Sequence, residues 1–111
     1  MAHRDLDVLD AAQRAVDGVN KLIARRSQRL LYVTQLRAAA QSVVANISEG
    51  FGRGPGRDRA KSLRIARAEC EEAIQHLFTN RRANLITARE YWPLHNLFVV
   101  IVKMLNSLLS R

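Results

Sequence analysis

Aromatic side chains make up only 5% of this 111-residue chain, which also has five glycines, two prolines and a single cysteine. Each shortage removes a class of structure. One cysteine cannot close an internal disulfide, so nothing marks a cross-linked secreted scaffold; Cys70, beside Ala66, Ala73 and Ile74 at helical spacing, reads as a small buried apolar residue in a reduced cytoplasm. Few glycines and prolines leave little to punctuate a series of short strands, while Leu, Ile, Val and Ala supply the core in place of aromatics, which suits helices. Long apolar runs are missing too. The longest, Leu97 to Val102, stops at Lys103, and Asp5, Asp7 and Asp10 stand where an export signal needs an apolar stretch, so neither export nor a membrane span is expected. At this length the expectation is one domain over residues 1–111, able to bury roughly two thirds of its unfolded surface.

Acids are scarce where bases are plentiful. The net charge is +8, and residues 21–67 carry eleven bases against two acids, whereas residues 1–20 carry four acids against two arginines. Fifteen of the eighteen bases are arginine. Arginine grips phosphate bidentately and stacks on exposed bases, so the bias leans toward a polyanionic partner; codon usage with simply solvated guanidinium groups is the plainer alternative.

The apolar spacing predicts four helices. The first runs from about Leu6 to Arg25 on Leu9, Ala12, Val16, Val19 and Ile23, and the second from about Gln28, with Ser27 as a cap, to Glu49, where Gly50 would turn left-handed and end it. After the loop FGRGPGRD, Asp58 would cap a third helix reaching about Arg81 with a seam of Leu63, Ala66, Cys70, Ala73 or Ile74, and Leu77. TARE, Thr87 to Glu90, reads as a capping box for the fourth, although Pro93 in its second turn leaves open a start nearer Tyr91 or Trp92. Four helices of about 20 residues with short connections give an all-α, antiparallel up-down-up-down bundle. A strand over Val99 to Val102 has no partner strand. The six apolar residues from Leu97 to Val102 cover every side of the fourth helix, so Phe98, Val100 and Ile101 are expected to build a homo-oligomer interface.

The densest signal is SVVANISEGFGR, Ser42 to Arg53. Val43, Val44 and Ile47 extend an apolar stripe, while Ser42, Asn46 and Glu49 lie on a neighbouring strip of the same helix. With Gln35, Arg37, Ala39, Ala45, Gly50 and Arg53, and with Leu63, Ala66 and Glu72 further on, the chain resembles the four helix bundle proteins related to those encoded in 23S rRNA intervening sequences. The resemblance covers nearly the whole chain; Ala68 and Glu69 stand where many relatives have glycine and serine. It implies a homopentamer with a basic channel or face, and more distantly the nucleic-acid-binding accessory proteins of diversity-generating retroelements. It implies no defined activity.

Ser42, Asn46 and Glu49, with Arg53 and with Glu72 of the third helix, are therefore expected to form a hydrogen-bonded clasp holding the loop to the bundle, since Glu49 at a helix C-terminus asks for a compensating cation such as Arg53. Arg53, Arg57, Arg59, Arg64 and Arg67 are the expected nucleic-acid contacts, made mainly to phosphate in RNA or single-stranded DNA. A protein-interaction scaffold with an acidic partner is the alternative. An enzyme is not expected. Glu72 and His76 share a face, but the two Glu-x-x-His elements of a di-metal bundle are missing, so no metal or other cofactor is implied. The glycine loop has neither a GK[ST] sequence nor a preceding strand, so no nucleotide or other small-molecule substrate is implied either.

Overall fold

A computed structural model describes residues 3–26 and 29–110 and contains four helices: α1 His3–Arg26, α2 Val33–Gly52, α3 Arg57–Arg82 and α4 Ala88–Leu109. Each packs on its two neighbours around a ring, as short connections between antiparallel helices require, in a bundle of 43 × 21 × 19 Å. Among the described residues there is no strand. The expected all-α four-helix bundle is the fold.

Small residues let the helices approach closely. Ala11, Ala12 and Ala15 of α1, Ala39 and Ala40 of α2, and Ala66, Cys70 and Ala73 of α3 are all buried, with Leu36, Ile47, Leu77, Phe98, Ile101 and Leu105 filling the space between. Burial pushes the Cys70 thiol up to about 12, so it stays protonated and unreactive. Phe98 and Ile101 are fully buried within this single chain, which corrects their assignment to an oligomer interface; of the three residues expected there, only Val100 faces outward. The helical period explains this, since Phe98, Ile101 and Leu105 fall on the stripe that meets the other helices. By length and composition α4 could span a bilayer, but that stripe is packed into the bundle.

Helix ends depart from expectation at three places. α2 begins at Val33 rather than near Gln28, which with the proposed Ser27 cap lies outside the described residues. The buried amide of Asn80 takes both backbone groups of Leu31, accepting from its N–H at 2.7 Å and donating to its carbonyl at 3.0 Å; Tyr32 then adopts a left-handed φ of 57°. Asn80 thus occupies Leu31 groups that an earlier helix start would need. Secondly, Gly50 is helical and buried, and α2 continues to Gly52; a Cβ on Gly50 would lie 3.1 Å from Leu63 Cδ2, so this glycine serves close packing rather than termination. Thirdly, the N-cap of α3 is Gly56, with φ 138°, and Asp58 sits in the first turn instead.

α3 ends in a Schellman motif. Asn84 takes φ 60°, Leu85 N–H donates to the Asn80 carbonyl and Asn84 N–H to that of Arg81. The TARE capping box forms in both directions, Glu90 N–H to Thr87 Oγ1 at 3.1 Å and Thr87 N–H to Glu90 Oε1 at 2.8 Å. α4 therefore starts at Ala88, and Pro93 lies inside it.

Candidate nucleic-acid interface

Arg57, Lys61 and Arg64 follow one another at i, i+4 and i+7, so they rise in a row on the outer side of α3. All three are exposed, and none has a hydrogen-bond or ion-pair partner among the described residues. Unpaired guanidinium and ammonium groups in a row can meet successive phosphates without first breaking an internal contact. Of the other arginines expected here, Arg53 stands at the same end but is shared between Glu49 at 2.9 Å and Asp58 at 3.6 Å. Arg59 turns inward: Nε donates to the Gly50 carbonyl at 3.2 Å, a terminal nitrogen donates to that of Arg53 at 2.9 Å, and the group lies over the Phe51 ring. Arg67 leans toward α4 and donates to Asn106 Oδ1 at 2.8 Å. Among the described residues the five arginines thus divide into two without partners, one loosely paired and two that tie elements together.

Of the contacts expected in the clasp, Glu49 pairs with Arg53 and Asn46 with Ser42, while Glu72 stands apart beside His76. Asn46 donates to the carbonyl and hydroxyl of Ser42, one turn back on the same helix. Ser42 in turn meets Glu69 of α3, while Glu72 lies beside His76 at 3.5 Å. Glu49 is more than half exposed, and its partner among the described residues is Arg53. Glu69 is half-buried on α3 near Ser42; desolvation and the neighbouring Glu72 raise its pKa. These contacts place carboxylates along the α2–α3 groove, whereas Arg57, Lys61 and Arg64 are exposed along α3, with Lys61 at the groove's edge.

A family model described as 23S rRNA-intervening sequence protein matches residues 4–107. The chain belongs to that family. It is also similar to a solved structure from Bacteroides thetaiotaomicron, a protein of unknown function from the S23 ribosomal protein family; the TM-score is 0.88 at 27% identity, over 97% of this chain and 99% of that one. No curated protein matches the sequence.

The other end of this family member's bundle carries Arg25, Arg26, Arg29, Arg81 and Arg82, and there the charge is largely committed. Arg26 binds the Glu90 carboxylate through two nitrogens, at 2.6 and 2.9 Å, and Arg25 adds a contact at 3.1 Å. The Glu90 side chain is 6% exposed, and these arginines with the Thr87 amide hold its pKa down at about 2. Arg81 donates to the Ile86 carbonyl and Arg82 lies over Phe78. Glu90 was legible only as half of a capping box, because a partner 64 residues away leaves no local signal. Asn80 and Glu69 escaped for the same reason. Among the described residues no three His, Cys, Asp or Glu side chains gather as a metal site.

Proposed function

We propose that this protein is a non-catalytic, homo-oligomeric cytoplasmic bundle that binds RNA, or single-stranded DNA, through phosphate contacts on the outer side of α3. The observation that carries the reading is the row of Arg57, Lys61 and Arg64, exposed and without partners among the described residues, beside Arg53. Membership of a family named for an rRNA element supports RNA as the polyanion. Each phosphate neutralised releases counterions, so even a short row gives measurable affinity at low salt. Assembly would repeat the row around a ring, by resemblance a pentamer, and several weak contacts would then act together.

The test is fluorescence anisotropy of a labelled single-stranded RNA with nuclease-treated protein. Reversing the row with Arg57→Glu, Lys61→Glu and Arg64→Glu is expected to weaken binding by about 100-fold, while Arg89→Glu at the far end of the bundle leaves it nearly unchanged. Equal losses from both variants would deny that this face is the binding surface.

A specific observation also favours assembly through a protein face. Phe78, Trp92 and Val100 are large apolar side chains on the outer sides of α3 and α4, each more than 40% exposed. We assign them to contact between copies. An acidic protein partner on the arginine row is the rival occupant, and competition by RNA against that partner would distinguish the two.

A further inference from the structure

Where α1 begins, α4 ends and the α2–α3 connection crosses, the bundle holds an open cavity of about 350 Å³, bounded by Asp5, Phe51, Arg59, Leu63, Leu108 and Leu109 among others. Its walls are mainly apolar. Asp5 is 7% exposed, yet it has no hydrogen-bond or ion-pair partner among the described residues. Its carboxylate oxygens keep access to solvent and Asp5 lines the cavity, so its lone pairs are open to the N–H groups of a ligand seated there. The nearby cation does not donate to this carboxylate: the Arg59 guanidinium is already bound to the carbonyls of Gly50 and Arg53 and rests on Phe51.

From this geometry we infer that the cavity receives one unpaired guanine base of a bound RNA strand, with Asp5 reading its Watson–Crick edge. The inference rests on the RNA reading above. Guanine offers two adjacent donors, N1–H and the N2 amino group, which match the two oxygens of a carboxylate. The other bases do not: adenine and cytosine set a ring-nitrogen acceptor beside their amino group, and uracil flanks its single N–H with carbonyls. Phe51 and the Arg59 plane suit the flat face of a base, and Leu63, Leu108 and Leu109 suit its apolar surroundings. The volume holds a purine with room to spare. Position agrees as well, for Gly56 on the rim is followed directly by Arg57, the first member of the phosphate-binding row. A base seated here would leave its flanking phosphates beside Arg57 and Arg53.

The experiment compares wild-type protein binding to three labelled oligouridine strands that carry one central guanosine, inosine or adenosine. Inosine keeps N1–H and lacks the amino group, so the expected order is guanosine tightest, inosine weaker and adenosine weakest, with about tenfold between the extremes. Asp5→Asn should remove the order and leave the affinity for plain oligouridine unchanged. Equal binding of all three strands by the wild-type protein overturns the guanine site and leaves the phosphate reading standing; no binding of any strand overturns both. The base comparison needs no variant, so it holds even if Asp5→Asn fails to fold. Free guanosine monophosphate provides the last arm: binding it as tightly as the guanosine strand would make the site a nucleotide pocket and overturn the RNA assignment.

Discussion

Glu90 and Glu49 are the same residue type near helix ends, and their surroundings give them opposite weights. Glu90 is nearly buried, accepts from two arginines and an amide, and ionises near pH 2. Glu49 lies in water with one arginine. Glu90→Gln keeps the shape and removes the charge, so we expect a loss of about 1–2 kcal/mol and a fall in Tm of roughly 4–8 °C. The pH dependence follows from the lowered pKa. A carboxylate that ionises near 2 when folded and near its ordinary 4.5 when unfolded stabilises the fold fully above that ordinary value, and this stabilisation drains away as pH falls from 4.5 toward 2. Glu90→Gln should flatten that acid limb in a denaturation series. Glu49→Ala, by contrast, removes an exposed i, i+4 pair and should change stability by less than about 0.5 kcal/mol. A loss of 1–3 kcal/mol, as a buried clasp would give, would contradict this placement. Sequence spacing identified both residues but could not rank them, because burial depends on helices distant in the chain.

At the scale of elements, periodicity was a good guide to the faces and a poorer one to the ends. The α3 seam of Leu63, Ala66, Cys70, Ala73 and Leu77 is buried as its spacing requires, and the capping box marks the start of α4. Gly50 misled because a glycine at the end of an apolar stripe signals either a left-handed cap or a close contact, and only the facing helix decides. That difference is measurable. Gly50→Val would drive methyl groups into Leu63 and the Ser62 side chain and should cost at least about 2 kcal/mol, whereas Gly52→Ala meets nothing within 4 Å and should be neutral or stabilising by about 0.5 kcal/mol. Equal melting temperatures for the two variants would show that α2 and α3 do not meet closely at Gly50. Gly18 belongs to the same class, since a Cβ there would run into Leu94 of α4. The late start of α2 had no local signal, because it depends on Asn80, 49 residues from Leu31.

For the molecule as a whole, the sequence shows two basic ends and the structure makes them unequal. Arg25 and Arg26 are spent on Glu90, whereas Arg57, Lys61 and Arg64 have no hydrogen-bond or ion-pair partner among the described residues. The charge excess of residues 21–67 was plain from composition; which of its members face outward was not, and Arg59 and Arg67 proved to be ties between elements. Assembly makes a separate prediction. Trp92→Ala with Val100→Glu should lower the mass found by light scattering while the helical circular-dichroism signal persists, because both side chains are exposed in the single chain. The central claim is phosphate binding by the outer side of α3, and the salt dependence of RNA affinity tests it most directly. Four basic residues on a single strand predict a slope of about −3 in a plot of log affinity against log salt concentration. A slope near zero, or no binding at low salt, would contradict the account.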